Sequence, residues 1–324
     1  MSFPRITIVT PSFNQAPYLE DTIRSVLDQN YPNLEYIIVD GGSTDGSVEI
    51  IKKYADRLAW WVSEPDRGQS HAINKGLARS TGEVENWINS DDMLVPGALH
   101  EVGRRFADDP RLGILVGQRV RMDQQGALLS LEDYRLNHMH WDMHAFRYYP
   151  SQECAFWRSD RRRYIGDLRE DLHYSMDYDW YLRLSAASKA RVTECYLAAF
   201  RIYPGQKGDL RDGNGEDMER VYGEYFATNC RPGLAWKAAI RAYRRLTYNR
   251  FAFRFQRVYR HSVMPLPEGT TLDDIGAGYV RAMPGNPIAT VCRTPSNVLS
   301  NGRHAESILP AEFQNAELEQ GRRA

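Results

Sequence analysis

The chain has 324 residues, of which 42% are hydrophobic, 26% charged and 11% aromatic, and its formal net charge is −1. These values are typical of a soluble globular protein and exclude fibrous, collagen-like and wholly disordered classes. The sequence contains no apolar run of the roughly 18 to 20 residues that cross a bilayer, no secretory signal pattern at its start and no CxxC pair among its four Cys residues. We therefore expect a cytoplasmic protein with free thiols rather than a disulfide scaffold or a zinc site.

The first 120 residues alternate short β-branched or aromatic runs with segments of helical period, which predicts successive βαβ units. The predicted strands are 5–10, 35–40, 58–63, 84–89 and 112–117. Further along, the pattern predicts strands at 154–158 and 196–203 and a helix at 178–187. The fold class that follows is α/β, with a Rossmann-like, mostly parallel sheet flanked by helices.

We divide the chain into an α/β domain at 1–210, a basic helical extension at 211–261 and an irregular C-terminal tail at 262–324. Residues 231–261 contain nine Lys or Arg and no Asp or Glu, interleaved with aromatic and apolar residues. This composition is typical of an amphipathic helix on an anionic membrane surface, which predicts a peripheral contact with the inner membrane face. The alternative is an extension that packs its apolar face on the acidic remainder of the chain. No nucleic-acid partner is expected.

Polar residues cluster where four of the predicted strands end, in segments 11–15, 40–45, 64–69 and 89–92. Ligands of parallel sheets bind at these ends, because the loops converge there. This rim carries the carboxylates of Asp40, Asp45, Glu64, Asp66, Asp91 and Asp92. So many acids need a counter-charge to remain ionised together, and oxygen ligands favour Mg²⁺ or Mn²⁺ bridging to phosphates. For Asp45 a helix-capping role is an equal alternative.

The sequence has no GxGxxG motif after its first strand and no GxxxxGK[ST] motif, so the usual phosphate cradles are missing. Its ordered motifs TPSFNQAPYLED, VDGGSTDGS, SEPDRGQS, NSDD and MDYDWYLRL resemble the family 2 glycosyltransferases with a GT-A fold, over about residues 4–210. The resemblance implies an inverting transfer of a sugar from a UDP, GDP or dTDP donor. The implied acceptor is a hydroxyl of a glycan or a lipid-linked molecule in cell-surface polysaccharide assembly, and the implied cofactor is Mg²⁺ or Mn²⁺.

The resemblance also implies roles for individual residues. Asp177 corresponds to the catalytic base, Asp92 to the metal ligand and Asp91 to the contact with ribose or donor sugar. Positions around the nucleotide are Pro11, Ser12, Asn14, Asp40, Asp66 and Arg67, the segment closing over the diphosphate contains Arg201 and Lys207, and the acceptor side contains Gln152 and Trp157. The alternative role for Asp177 is to cap the helix that follows it.

Two departures from the family pattern leave other functions open. Tyr203 stands in RIYPGQK where the family has a His that completes the metal shell, and a phenol is a poor ligand for a hard cation. Glu85 and Asn86 lie in a strand expected to be buried on both faces, where a charge is costly. One alternative is therefore a degenerate scaffold that binds nucleotide without turnover. Another is a nucleotidyltransferase, although the first loop, PSFNQAP, lacks the Gly, Arg and Lys residues that a triphosphate needs.

Overall fold

The computed structural model describes residues 3–132, 139, 143, 150–207, 211–229, 264–265 and 269–275. The strands in this part of the chain are β1 (Ile6–Ser12), β2 (Leu34–Asp40), β3 (Trp60–Ser63), β4 (Val84–Trp87), β5 (Met93–Leu94), β6 (Ile114–Met122), β7 (Leu128–Glu132), β8 (Ala155–Arg158), β9 (Ala190–Arg201) and β10 (Met264–Pro265). The helices are α1 (Ala16–Leu27), α2 (Ser47–Lys53), α3 (Gln69–Leu77), α4 (Ala98–Asp108), α5 (Ser159–Ile165), α6 (Met176–Ala187), α7 (Arg211–Asn229) and α8 (Leu272–Ile275). Single 3₁₀ turns lie at Ala55–Arg57 and Gln152–Cys154.

All the described strands belong to one sheet, which runs β10-β7-β6-β8-β4-β1-β2-β3, with β9 pairing with β5 and β6. The strands β4, β1, β2 and β3 are parallel, whereas β8 is antiparallel to both β4 and β6. The sheet is therefore mixed where the sequence predicts a mostly parallel one. The predicted α/β class, with helices flanking the sheet, is confirmed.

Helices cover both faces of the parallel strands. On one face, α1, α2 and α4 place Ile23, Ile51 and Leu99 in a single apolar cluster. On the other, α3 and α6 place Ile73 and Trp180 in a second cluster. Because both faces are covered, every residue of β1 is buried, which explains why the sequence of this strand, ITIVTPS, has no charged residue on either face.

Two strands extend further than the sequence predicts. β6 continues to Met122, and β9 begins at Ala190, six residues before its predicted start. In both added parts buried and partly exposed residues alternate, as in TECY and GQRVRM, so polar side chains interrupt the apolar run. These two strands pair with each other in parallel, with irregular register near Gln118.

The expected irregular tail contains two ordered pieces among its described residues. β10 pairs antiparallel with β7, and α8 places the buried side chain of Ile275 in the first apolar cluster. The basic segment 231–261 lies outside the described residues.

Glu85 is accommodated in β4 by a buried ion pair. Arg162 on α5 donates to its carboxylate from Nε over 2.8 Å and from Nη2 over 3.0 Å, and Trp157 Nε1 donates over 3.2 Å. The neighbouring Asn86 donates from Nδ2 to the carbonyl oxygen of Glu153 over 3.2 Å. The charge in a two-sided strand is thus neutralised by a partner that lies 77 positions further along the chain.

The described cysteines are free thiols, as predicted. Cys154 and Cys195 are both buried, and burial raises the pKa of the Cys154 thiol well above its ordinary value. A protonated, enclosed thiol is unreactive. Cys230 and Cys292 lie outside the described residues.

Candidate active site

The carboxyl ends of the parallel strands bring the predicted polar segments to one edge of the sheet. In the register of the sheet Ser12 is opposite Asp40, and Asp40 is opposite Ser63. The loops that follow β1, β2 and β3 therefore begin side by side, and the loop after β4 begins next to β1. This places segments 11–15, 40–45, 64–69 and 89–92 around one crevice.

Asp40 organises the turn that follows β2. Its carboxylate is fully buried and accepts hydrogen bonds from Gly42 N at 3.1 Å and from Ser43 N at 2.8 Å. The hydroxyls of Ser43 and Ser63 donate to it over 2.5 and 2.7 Å. Gly42 has φ 85°, a conformation that glycine adopts readily. These bonds hold the loop in place around a carboxylate that has no exposed surface.

Asn14 connects the loop after β1 to the loop after β2 by hydrogen bonds. Its backbone adopts φ 51°, its amide N–H donates to Ser43 Oγ over 2.8 Å, and its side-chain oxygen accepts from Thr44 N over 2.9 Å. Pro11 and Ser12 are buried beneath this junction, and Ser12 Oγ has no hydrogen-bond partner among the described atoms. Asn14 thus shapes the crevice, and Ser12 supplies a buried hydroxyl below it.

Asp45 connects the starts of two helices. It accepts from Ala16 N, at the start of α1, over 2.9 Å and from Ser47 N, at the start of α2, over 3.0 Å. Of the two roles weighed for Asp45, the structure therefore supports the one at helix starts.

Phe13 and Gly41 form a narrow slot with Asp66, and both were missed in the sequence. Phe13 is 61% exposed, although it is large and apolar. A Cβ on Gly41 would lie 2.7 Å from Asp66 Oδ2 and 3.3 Å from the Phe13 ring, so a larger residue would fill the slot. Asp66 also accepts from Gly68 N over 2.7 Å. The sequence signal for this slot is the aromatic Phe13, which stands among polar residues in the loop after β1.

Arg67 is turned away from the slot. Its Nε and Nη2 atoms donate to Glu170 Oε2 over 2.9 and 2.6 Å. Glu170 belongs to the segment between α5 and α6 and also lies 3.5 Å from Asn74 Nδ2. Partial burial acts to raise the pKa of Glu170, but the bonds from Arg67 and Asn74 outweigh it and hold that pKa below its ordinary value.

The acid pair after β4 contains two carboxylates with different surroundings. Asp92 is fully buried, and its oxygens accept from Arg201 N over 3.1 Å and from Asn89 Nδ2 over 3.4 Å. Asp91 is 8% exposed, and its Oδ2 accepts from the hydroxyl of Tyr203 over 2.8 Å. Burial raises the pKa of both carboxyls, and the charges of Asp91 and Glu153 raise that of Asp92 further.

The raised pKa values indicate that the positive charges in the described part of the chain, including Arg201 and Arg119, do not offset the burial of the pair. A divalent cation would supply that charge, so the donor set fits Mg²⁺ or Mn²⁺. The described residues contain no group of three or more His, Cys, Asp or Glu arranged as a complete ligand set. A cation at this position would therefore need oxygen ligands from a bound molecule or water as well.

Asp177 lies in the first turn of α6 and is partly exposed. Burial raises its pKa to about 6, against the opposing charge of Lys207. The helix begins after Ser175, and the Asp177 carboxylate accepts a hydrogen bond from the adjacent Tyr178 N over 2.8 Å. This geometry differs from an N-cap, whose side chain bonds to a residue two or three positions ahead.

A chain of hydrogen bonds connects the surroundings of Asp177 to the acid pair. Lys207 Nζ donates to Gln69 Oε1 over 2.8 Å, and Gln69 Nε2 donates to Asn89 Oδ1 over 2.7 Å. Asn89 in turn lies 3.4 Å from Asp92 Oδ2. Sequence reasoning singled out neither Gln69 nor Asn89, which join the two groups of acids into one site.

Arg201 is buried at the end of β9. Its side chain is 1% exposed and donates to the carbonyls of Asp91 and Gln124 over 2.9 and 3.0 Å and to Asp21 over 3.2 Å. The guanidinium also lies over the ring of Tyr18. Arg201 therefore secures the end of β9 beneath the acid pair, and its contact with diphosphate stays a prediction.

Trp157 and Gln152 are both buried. Trp157 is fully buried against Trp87 and Trp180. Gln152 is nearly buried, and its amide donates to the carbonyl of Trp87 and lies 3.5 Å from Asn86 Oδ1. Both side chains belong to the core beside β4, and their expected place on the acceptor side stays a prediction.

Comparison with known proteins finds relatives that are described as glycosyltransferases. The model of the family described as Glycosyl transferase family 2 matches residues 7–165. The chain is 37% identical over 207 residues to an uncharacterized glycosyltransferase of Mycobacterium tuberculosis (strain ATCC 25618 / H37Rv), covering 61% of this chain and 76% of that protein. It is 41% identical over 92 residues to TuaG of Bacillus subtilis (strain 168), a glycosyltransferase named for teichuronic acid biosynthesis, but this covers 28% of the chain and only 36% of TuaG.

Solved structures with the same architecture bind nucleotide sugars. The chain superposes on S. aureus TarS 1-349 in complex with UDP-GlcNAc with a TM-score of 0.57 at 18% identity, covering 73% of this chain and 70% of that one. It superposes on the mannosyltransferase PcManGT from Pyrobaculum calidifontis, in complex with GDP-Man and Mn²⁺, with a TM-score of 0.51 at 17% identity, covering 81% and 85%. At these identities the likeness shows a shared fold.

Proposed function

Since the chain belongs to glycosyl transferase family 2 and is a glycosyltransferase with a GT-A fold, we propose that it transfers one sugar from a nucleoside-diphosphate donor to a hydroxyl of a cell-surface glycan or its lipid-linked precursor. We further propose that the transfer inverts the configuration of the anomeric carbon. The observation that carries this proposal is the connected set of Asp177, Lys207, Gln69, Asn89 and the acid pair. It combines a partly exposed carboxylate of raised pKa with buried acids suited to a cation.

Asp177 is the proposed general base. With a pKa of about 6, its carboxylate is ionised at neutral pH and yet basic enough to accept a proton from the acceptor hydroxyl. As that oxygen attacks the anomeric carbon, the new carbon–oxygen bond forms while the bond to the diphosphate oxygen breaks on the opposite face. The proton remains on Asp177, and the bonding electrons leave with the nucleoside diphosphate, so the charges balance.

The leaving diphosphate needs positive charge, and Lys207 is the proposed source within the protein. Burial lowers the pKa of Lys207 while the charge of Asp177 acts in the opposite direction. When bound, a divalent cation would neutralise further negative charge on the diphosphate. Arg67 is a second candidate, because it needs only to exchange Glu170 for a phosphate oxygen.

For the metal ligand we propose Asp91 in place of the expected Asp92. Both oxygens of Asp92 are engaged by protein donors, whereas Asp91 retains some exposed surface. Asp92 instead holds the backbone of Arg201 and so fixes the end of β9. Asp91→Ala should therefore abolish any Mn²⁺-dependent gain in nucleotide affinity without unfolding the protein. Asp92→Ala should lower the Tm as well, because it leaves the buried N–H of Arg201 unpaired.

The slot formed by Phe13, Gly41 and Asp66 is the proposed site of the nucleobase. An exposed aromatic ring offers a face on which a base can stack, and the missing Cβ at Gly41 leaves room beside it. Asp40 and Asn14 shape the slot from below, and Ser12 offers an unpaired buried hydroxyl. Pro11, which is buried, completes the floor.

The class of acceptor follows from the relatives. TuaG is named for teichuronic acid biosynthesis, and on this basis we propose a glycan of the cell surface as the product. The same reasoning favours a sugar nucleotide as donor, as in the TarS and PcManGT complexes.

A thermal-shift screen tests the proposed donor site directly. UDP, GDP, dTDP and CMP are added to the full chain, each with and without Mn²⁺, and the matching sugar nucleotides are then assayed for release of the nucleoside diphosphate. One diphosphate should raise the Tm most, and its sugar nucleotide should be turned over. Stabilisation without turnover of any sugar nucleotide would favour the scaffold alternative, and no stabilisation by any nucleotide would contradict the donor site.

Residues 231–261 are the proposed contact with an anionic membrane surface. Their nine cations would each contribute about 1 kcal/mol near anionic lipid. No helix in the described part of the chain has the length and apolarity to cross a bilayer. Flotation of the full chain with anionic liposomes should show binding that high salt reverses, and neutral liposomes should show none. Failure to bind anionic liposomes would favour an extension packed on the acidic remainder of the chain.

A further inference from the structure

The helix α7 packs beside the segment that leads from α5 into α6. One face of α7 carries charged side chains at the spacing i, i+3 and i+7, which are Asp217, Arg220 and Glu224. The adjacent stripe of the same helix is apolar and packs on the second apolar cluster through Met218, Val221 and Tyr225. The apolar stripe therefore secures α7 on the core, and the charged face meets the segment before α6.

Two side chains of this charged face form ion pairs with the segment. Glu224 accepts a hydrogen bond from Arg169 Nη1. Arg220 donates from Nη2 to the carbonyl oxygen of Asp171 over 2.9 Å, and its Nη1 lies 3.3 Å from Asp171 Oδ2. Arg169 Nη2 also donates to Asp171 Oδ2 over 2.6 Å. Positive and negative charges therefore alternate along the contact between the helix and the segment.

Asp217 holds the end of the segment that is nearest to α6. Its Oδ2 accepts hydrogen bonds from His173 N over 3.2 Å and from Tyr174 N over 3.1 Å. Burial lowers the pKa of Lys207, and the charges of Asp177 and Asp217 both oppose that shift. Asp217 thus binds the backbone just before α6 and lies in the same electrostatic surroundings as the proposed base.

The first turn of α6 depends on such contacts from outside the helix. The start of a helix leaves backbone N–H groups without partners inside the helix, and the side chain of Ser175, at the N-cap position, makes no capping hydrogen bond. Asp177 lies in this turn, three positions after Tyr174. A displacement of the backbone ahead of the turn would therefore move the Asp177 carboxylate, and a displacement of about 1 Å can lower catalysis about 10²-fold.

We propose that Asp217 is a positioning residue for Asp177, because its carboxylate oxygen holds the two backbone N–H groups that precede α6. The required property is the hydrogen-bond acceptor rather than the negative charge. This inference rests on the proposed role of Asp177 as the general base. It extends that proposal by giving α7, which lies in the predicted extension at 211–261, a part in the reaction.

The test compares four variants of the full chain with the wild type. Asp217→Ala removes the accepting oxygen, whereas Asp217→Asn keeps an oxygen and loses only the charge. Arg220→Gln breaks the ion pair with Asp171 at a partly exposed position. Glu216→Ala is the matched control, because it removes an exposed carboxylate from the same helix.

Three quantities are measured for each variant. Steady-state release of UDP, GDP or dTDP from the matching sugar nucleotide gives kcat and the KM for the donor. Hydrogen–deuterium exchange with mass spectrometry follows the backbone amides of residues 172–177, and thermal unfolding gives the Tm. A purely structural role of Asp217 would lower the Tm and leave kcat unchanged.

In Asp217→Ala, kcat should fall about 10- to 100-fold, while the KM for the sugar nucleotide should stay within about twofold of the wild type. The amides of His173 and Tyr174 should exchange about tenfold faster, as expected for the loss of a hydrogen bond to a charged group. Asp217→Asn should stay within about threefold of the wild type in both measurements. Arg220→Gln should lower kcat about threefold, and Glu216→Ala should change neither.

Failure of this inference can be told apart from failure of the proposed base, because Asp177→Asn is measured in the same assays. If Asp177→Asn keeps near-normal turnover, the base assignment fails and the role of Asp217 fails with it. If Asp177→Asn loses turnover and Asp217→Ala does not, only the positioning role is overturned. Equal losses of kcat in Asp217→Ala and Asp217→Asn would show that the charge near Lys207 matters instead. Unchanged amide exchange in Asp217→Ala would show that the two hydrogen bonds do not hold the segment.

Discussion

The loop after β4 and the start of β4 both contain buried carboxylates, but the partners of these carboxylates differ. At the start of the strand, Glu85 receives two hydrogen bonds from Arg162 and one from Trp157. After its end, Asp91 and Asp92 lie together, and no cationic side chain in the described part of the chain is close enough to prevent burial from raising their pKa values. The first carboxylate is neutralised within the fold, whereas the proposed cation would neutralise the others.

This difference separates a structural charge from a functional one. A buried carboxylate with a complete set of partners secures the packing of β4 against α5 and has no capacity left for a ligand. A carboxylate whose pKa is raised by burial is costly to the folded protein and is retained where chemistry requires it. Asp177, with a pKa of about 6, belongs with the second kind. Substitutions at the two kinds of position should therefore have opposite effects on stability and activity.

The largest effect is expected from Asp177→Asn. Removal of the base should lower the rate of sugar transfer by on the order of 10² to 10⁴, the usual contribution of a positioned general base. Nucleotide affinity should change by less than about twofold, and the Tm should not fall, because the amide removes a charge that burial disfavours. Steady-state transfer assays, calorimetry and thermal unfolding measure the three quantities. Near-normal turnover would contradict the proposed base and leave Asp177 with a structural role alone.

At the neutralised position, Glu85→Gln should reduce stability instead. It removes the closest counter-charge of the buried Arg162 guanidinium and leaves only the mostly exposed Asp167, 3.7 Å away, which costs about 3 kcal/mol or more of the free energy of unfolding. For a domain of this size the Tm should fall by roughly 6 to 12 °C. The matched control is Asp108→Asn, which breaks the exposed ion pair with Arg104 and should cost less than about 1 kcal/mol. Equal losses in the two variants would show that the buried pair is no more important than a surface one.

The comparison also shows what the sequence could predict. The strands β1 and β2 were predicted to within two residues of their ends, because burial on both faces makes them rich in β-branched and aromatic residues. The rim of polar segments followed from those strand ends, and Asp91, Asp92 and Asp177 were identified through the family motifs. The fold class and the membership in the glycosyltransferase family were predicted from the sequence and confirmed.

The remaining features depend on partners that are distant in the chain. The period of a strand shows which residues share a face, but it does not show that Arg201 turns inward to Asp91 or that Trp157 joins a core of Trp side chains. The pairing of Glu85 with Arg162 likewise depends on the packing of α5 beside β4, which the sequence alone does not show. The pattern of β9 was concealed because its first half alternates polar and buried residues.

The pH dependence of the reaction provides a third way to sharpen the comparison. A base acts when it is deprotonated, so kcat/KM should be constant above pH 7 and fall about tenfold per unit below the pKa of Asp177, which is about 6. The profile should be measured with the wild type and with the residual activity of Asp177→Asn. The variant should lack this acidic limb. A wild-type profile that declines only below pH 4 would mean that burial does not raise the pKa of the working base.

The smallest effect is expected at Glu170, which is partnered by Arg67 on the edge of the crevice. Arg67 must leave Glu170 before it can reach a diphosphate, so the ion pair competes with the donor. Exposed pairs contribute about 0.2 to 1 kcal/mol, and Glu170→Gln should therefore tighten nucleoside-diphosphate binding by up to about fivefold. The matched control is Glu224→Gln, which disrupts the nearby pair with Arg169 and should leave nucleotide affinity unchanged. Arg67→Gln combined with Glu170→Gln should cancel the gain, because the liberated guanidinium is then absent. If Glu170→Gln alone weakens nucleotide binding, Glu170 supports the donor site and Arg67 acts on the nucleotide from its present position.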